Sequence, residues 1–262
     1  GIMLEVEKII KECDYLYGKL GNWRNYWNDV ADFALPRKAS INSPRLQGDR
    51  LNFNFLYDST AITSLQVMSA GFHSNLTNPT SKWFAMSTKD PNFMDNYAVR
   101  MWFKNVEDLM FTTLNNSNFD TTFQEFYNDS GCFGTGVILC EEDWKDKVRF
   151  TSIPIEQVLL TEDSNGRVNK LRRVFKYTLE QAYSLFKERA GKTVLEKMEK
   201  NPYDEVEVIH YVGERDKRDL RKQDSINMPV ESLWINKTDI VLMSKSGYMV
   251  FPYAAGRFFK DT

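Results

Sequence analysis

The stretch "DSGCFGTG", Asp129 to Gly136, places three glycines in the last six of its eight residues. A glycine-rich turn beside regular structure can let backbone N–H groups cradle a phosphate. A P-loop, however, needs Gly-x-x-x-x-Gly-Lys-Ser/Thr between a strand and a helix, and no lysine or hydroxyl follows Gly136 in that register. A dinucleotide fingerprint needs glycines that leave a strand and open a helix. Here an apolar helical pattern comes first and the strand-like "VILCEED" follows. That order predicts a helix C-cap and a tight turn into a sheet, with Gly131, Gly134 and Gly136 serving the backbone. At least one of Gly134 and Gly136 is expected at positive φ.

Cys132 lies among these glycines, where a nucleophile could be exposed. It equally suits a small core position, as free cysteines usually do. His73 falls near the end of a helical pattern, beside Phe72 and Ser74, and His210 falls in an alternating strand. Neither has an Asp, Ser or Cys nearby in a known triad order, so a structural role is expected for both. The enzyme alternative is a hydrolase using Cys132 with His73 or His210, and the separation of these side chains decides it. Glu141 and Glu142 point to opposite faces of a strand and form no acid–base pair. Asp163 opens "DSNG", too short for a calcium loop; with Gly166 it predicts a hairpin turn. No cysteine–histidine cluster has zinc-ligand spacing. The expectation is no catalytic residue, no cofactor and no metal.

The remaining chemistry is charge. "PRKASINSPRLQGDR" carries Arg37, Lys38, Arg45 and Arg50, with Asp49 as its only acid. These four basic residues suit contact with a nucleic-acid backbone, contact with a neighbouring subunit, or plain solvation. Gly213 to Asp224 mixes five basic and four acidic residues and reads as a solvated loop. The net charge of -2 excludes a generally basic nucleic-acid binder but leaves room for a local patch.

The 262 residues suffice for one large core or two modest domains. Aromatic residues make 14%, including six tryptophans and eighteen phenylalanines, which implies a large core, large contact surfaces, or both. Three cysteines, an odd and sparse count, suit a reducing compartment. Glu5, Glu7, Lys8 and Glu12 break up the first apolar run, so no signal peptide is expected. Gly1 ahead of Ile2 and Met3 reads as a tag remnant. No run approaches the length of a membrane span. The end, "YAAGRFFKDT", has neither cap nor polar tail, which suggests a fragment.

Apolar periodicity places these residues on elements. A helix is predicted over 3–34, broken near Gly18 or Gly21 and ended by Pro36. Further helices are predicted from Asp58 or Ser59 to Asn75, from Phe93 to Leu114 and from Asp120 to Ser130. From Gly131 the period drops to two. Strands are predicted over 136–141, 148–152, 157–161 and 167–177. Thr178 then caps a helix toward Arg189, with Gln181 completing a capping box. Strands resume over 206–212, 231–235, 239–243 and 248–253. The fold class is α+β: a mainly helical region, 1–130, precedes a strand-rich domain, 131–262, with one main helix near 178–190.

Taken in order, these pieces resemble the head-to-tail connecting, or portal, proteins of short-tailed bacteriophages. "NWRNYWNDVADFALPR", Asn22 to Arg37, is similar to that family's first helix and closing proline. "LYDSTAITSLQVMSAGFHSNLTNPTSKWFAMS", Leu56 to Ser87, is the most specific piece, with its D-S-T opening, small-residue helix, proline turn and Trp-Phe pair. "VEDLMFTTLNNSNFDTTFQEFYNDSGCFGTGVILCEED", Val106 to Asp143, follows in the right order. Ile153-Pro154, Gly166, Arg173 and "YTLEQAYSLF" come next. The resemblance covers essentially the whole chain.

The resemblance implies a structural, non-enzymatic role. Such proteins form rings, usually of twelve subunits, at one capsid vertex. Double-stranded DNA passes through them during packaging by the terminase and during ejection. Implied partners are further copies of the chain, terminase, capsid and tail proteins and DNA, with no membrane. The implied location is the virion, and the bacterial host cytoplasm during assembly. The strand-rich part corresponds to the family's wing; its channel helices and distal domain lie beyond "FPYAAGRFFKDT" and are expected to be absent. A generic adaptor of an unrelated assembly is the other alternative. Residues 1–262 alone are expected to be monomeric or weakly associated. Trp23, Trp27, Trp83 and Phe84 are candidates for orphaned interface, with ordinary core favoured for Trp83 and Phe84.

Overall fold

The structure, a computed structural model, describes residues 2–38, 58–222 and 224–257. Arg45 and Arg50 lie outside the described residues, as does the side chain of Arg37.

The first helices are α1 (Ile2–Lys19), α2 (Gly21–Ala34), α3 (Thr60–Leu76), α4 (Pro91–Met94), α5 (Tyr97–Asn116) and α6 (Phe119–Phe133). Strands β1 (Thr135–Asp143), β2 (Lys147–Ile153), β3 (Val158–Glu162) and β4 (Val168–Thr178) follow. Then come α7 (Leu179–Phe186), α8 (Lys192–Lys197), β5 (Glu205–Glu214), β6 (Val230–Asn236), β7 (Val241–Tyr248) and β8 (Tyr253–Arg257). Helices thus precede strands, and the sheets are β2-β1-β8 and β3-β4-β5-β6-β7. The ladders from β3 to β7 and between β1 and β2 are antiparallel. The fold is α+β.

By contacts the chain forms two compact units: residues 1–26 with 156–253, and residues 27–155 with 254–262. The helical-then-stranded order describes the sequence of elements; the units cut across it.

In the first unit the five-stranded sheet is covered on both faces. Val6, Ile9 and Cys13 recur along one stripe of α1 and pack on Leu159, Ile209, Tyr211, Leu233 and Ile235. Val206, Val208, Phe175 and Met243 point the other way, against Leu179, Ala182 and Val194 of α7 and α8. Successive residues of β5 therefore bury on alternate faces, which explains its nearly unbroken apolar run. The expected capping box forms: Gln181 N donates to Thr178 Oγ1 at 3.2 Å, and Thr178 N donates to Gln181 Oε1 at 3.1 Å.

The strands expected over 239–243 and 248–253 are placed differently. Asn236 Oδ1 accepts from Asp239 N at 3.0 Å, and Ile240 takes φ 56, so a tight turn occupies 237–240. The strand then runs unbroken from Val241, opposite Asn236, to Tyr248, opposite Val230. A side chain at Gly247 would strike the Ser225 carbonyl at 2.5 Å, so glycine there permits close backbone approach rather than a turn.

In the second unit α6 lies on β1 and β2. Phe119, Ile138 and Phe150 form the buried cluster, with Leu114, Phe123, Phe126 and Val148 around it. Asn118 continues the ladder with its side chain: Nδ2 donates to Phe150 O at 2.7 Å, and Oδ1 accepts from Phe150 N at 2.9 Å. The segment after α3 runs beside α5, where Met86 N donates to Glu107 Oε1 at 2.7 Å and Lys82 pairs with Asp108.

Candidate functional site

The nucleophile test comes first because it would define an enzyme. Cys132 is half-buried, and burial pushes its thiol up to about 12, with the Asp129 carboxylate adding to the effect. An activated cysteine needs the opposite shift. His73 engages Thr77 Oγ1 at 3.1 Å, and that hydroxyl meets the Tyr127 phenol at 3.0 Å, tying the end of α3 to α6. His210 is fully buried, with Nδ1 2.8 Å from Tyr253 OH and Nε2 2.9 Å from Ser232 Oγ. Its ring stacks on Trp234 at 4.1 Å, and burial pulls its pKa down to about 3. Both imidazoles are used in structural bonds, and nothing supports the hydrolase alternative. Among the described residues no His/Cys/Asp/Glu group could hold a metal ion, and no helix is long and apolar enough to cross a membrane.

The glycines have distinct duties. Gly134 takes φ 73 as the left-handed C-cap of α6. Gly131 lies in the last turn of α6, where α3 approaches: a side chain would press on Leu65 and Met68. Gly136, the second residue of β1, lies against Ser130 Oγ and the Phe126 ring, and a Cβ would meet the ring at 2.9 Å. Gly166, at φ 73, closes the turn in which Asp163 Oδ1 accepts from Asn165 N and Arg167 N at 2.8 and 2.9 Å. No helix begins at the 131–136 stretch to aim N–H groups at an anion.

Of the basic residues singled out, Lys38 is the one whose side chain is described. Its Nζ donates to both Asp129 oxygens at 2.7 Å, and Ser152 Oγ donates to the same carboxylate at 3.3 Å. Asp129 is only 1% exposed. Burial raises its pKa more than Lys38 and Ser152 lower it. Lys38 therefore compensates a buried carboxylate between α6 and β2, a role that its neighbours in sequence do not signal.

The aromatic candidates divide. Trp23 is 54% exposed and Trp27 is buried. Trp83 and Phe84 pack on Phe111 at 5.9 and 4.3 Å, and Trp83 stacks on Phe119 at 5.8 Å; Phe84 is half-buried, whereas Trp83 remains exposed despite these ring contacts. Sequence reasoning overlooked Trp144. At the tip of the β1–β2 hairpin it is 98% exposed. The available signal was a lone tryptophan inside the charged turn "EEDWKDK".

The described residues thus lend the Cys132 hydrolase no support. Comparison with known proteins points to a structural family. The family described as "Bacteriophage head to tail connecting protein" matches residues 6–262. The chain is 29% identical over 257 residues to the "Portal protein" of Salmonella phage epsilon15, covering 97% of this chain and 46% of that protein. It is 29% identical over 235 residues to the "Probable portal protein" of Bordetella phage BPP-1, covering 88% of this chain and 42% of that protein. The chain spans less than half the length of these curated relatives.

Proposed function

The chain belongs to the bacteriophage head to tail connecting protein family, and from that premise we propose that it is part of a structural portal subunit. Copies of the complete subunit form a closed ring, of twelve as in the resembling family, at one vertex of the virion. Double-stranded DNA enters and leaves through the ring. The partners are neighbouring subunits, the terminase, capsid and tail proteins and the DNA itself. Assembly takes place in the bacterial host cytoplasm, and the subunit acts without catalysis.

One observation carries this reading: the family match extends over nearly all of the chain. The raised Cys132 thiol and the committed histidines fit it, since the site with the best claim to chemistry is built against nucleophilic attack. Family membership also favours this reading over an adaptor of an unrelated assembly. Contact of Arg37, Arg45 and Arg50 with DNA backbone or a neighbouring subunit belongs to the same proposal. Labelling virions with an antibody raised against residues 1–262 tests the location. Label at a single vertex is expected; label spread over the capsid, or none on the virion, would contradict it.

A further inference from the structure

Two buried polar atoms of β4, Arg172 Nε and Asn169 Oδ1, have no hydrogen-bond partner. A buried polar group left unpaired is costly, so each atom calls for a partner from outside the chain. Arg172 is 2% exposed, and the rest of its guanidinium is engaged. Nη2 donates to Glu12, Nη1 donates to Thr161 Oγ1 at 3.3 Å, and the group lies 5.5 Å from the Tyr211 ring centre. Asn169 owes its place to the β3–β4 register. Thr161 pairs with Lys170 and Glu162 pairs with Val168, so Asn169 is the extra residue of a β-bulge, a feature that re-aims a side chain.

Both residues line one cleft of about 320 Å³, between α1 and the β3–β4 edge of the five-stranded sheet. Tyr15 and Leu16 of α1 give it an apolar wall. Its charged lining is balanced, Glu12 and Glu162 against Lys170 and Arg172, with Glu12 already paired to Arg172. Such a lining holds no surplus charge for an anion or a phosphate backbone. It offers instead one N–H donor and one carbonyl acceptor beside apolar surface. A secondary amide answers both while staying neutral, since its C=O accepts and its N–H donates. β3 is the edge strand, so an extended chain has room to run alongside.

We propose that the cleft between α1 and β3–β4 binds a main-chain amide of an extended peptide segment. Its C=O accepts from Arg172 Nε, and its N–H donates to Asn169 Oδ1. The inference goes beyond the ring reading and holds whatever the number of subunits.

The test titrates the 262-residue chain with three probes and follows the Arg172 Nε–H signal by NMR. N-methylacetamide carries both groups, N,N-dimethylacetamide keeps the carbonyl without the N–H, and acetate carries acceptors and charge. N-methylacetamide should bind tightest and dimethylacetamide about two- to tenfold more weakly, the worth of one hydrogen bond. Acetate should leave the signal unmoved. In Asn169→Ala the two amides should bind equally, because the acceptor that tells them apart is gone; unchanged circular dichroism and melting check its fold. Sedimentation of the same variant identifies the source: weaker self-association assigns the amide to a neighbouring copy, unchanged association to another polypeptide. Equal binding of both amides to the wild type, tighter binding of acetate, or a signal that answers adenosine but no amide would overturn the proposal. So would an Nε–H that answers no probe and exchanges magnetisation with water alone, since a bound water is then its partner.

Discussion

Gly134 and Gly136 stand two residues apart and are glycine for different physical reasons. At Gly134 the backbone is left-handed, and a Cβ would meet nothing within 4 Å. Gly134→Ala should cost about 1–2 kcal/mol, and Gly134→Asn should cost less, because asparagine tolerates that region. At Gly136 the obstacles are Ser130 Oγ and the Phe126 ring, so Ala should cost about 1–3 kcal/mol and Asn more. Urea midpoints of the four variants separate the two causes. Asp129 offers a second test. Its folded pKa is raised, so its contribution to stability is fully present below the unfolded value and is lost as pH climbs through the folded one. Removing the cation by Lys38→Met should cost about 3–5 kcal/mol at neutral pH, because a buried charge is left unpaired. The penalty should shrink as pH falls through the raised carboxyl range; a penalty independent of pH would contradict the pairing. The glycine turn was legible because backbone demand is local. The Lys38–Asp129 pair was not, because its partners lie 91 residues apart and their types alone suit solvent equally well.

Element type followed from apolar spacing, and the switch near Gly131 was legible because α6 carries its buried residues at helical spacing while β1 opens on a short run of successive buried residues. Boundaries were less so. The helix expected to end at Ser130 runs to Phe133 because Gly131 serves packing against α3 rather than the cap. Nor did the sequence show that α1 covers one face of the β3–β7 sheet, since Val6, Ile9 and Cys13 meet residues more than a hundred positions away. His210 belongs to this scale, because it binds β5 to Ser232 of β6 and to Tyr253. Its folded pKa is depressed to about 3 from 6.5. Its contribution is therefore present above the unfolded value and lost as pH falls toward the folded one. The urea midpoint should drop as pH falls below about 6.5, and His210→Gln should flatten that part of the curve. An unchanged acid limb in the variant would show that His210 is not the buried neutral group described. Asn118→Ala should cost about 1–3 kcal/mol, since it strands the N–H and C=O of Phe150.

At the scale of the molecule, the order of helices and strands was readable, but the compact units were not. Residues 1–26 join a segment that begins at 156 and whose sheet begins at Val158, a closure that period and turn signals do not encode. Family membership was legible because several individually weak motifs occur in one order over nearly the whole chain, as the match to residues 6–262 bears out. A ring needs two complementary faces per subunit, and the curated relatives are more than twice as long as the stretch they share with this chain. Residues 1–262 alone should therefore sediment as a monomer or weak oligomer at micromolar concentration, with Trp23 and Trp144 solvent-exposed; a stable dodecamer would show that these contacts suffice alone. The most direct test of the portal reading is the mass and electron-microscope appearance of the intact protein. The account predicts a closed ring of identical subunits around a central opening. A monodisperse monomer, or an assembly without a central opening, would contradict it.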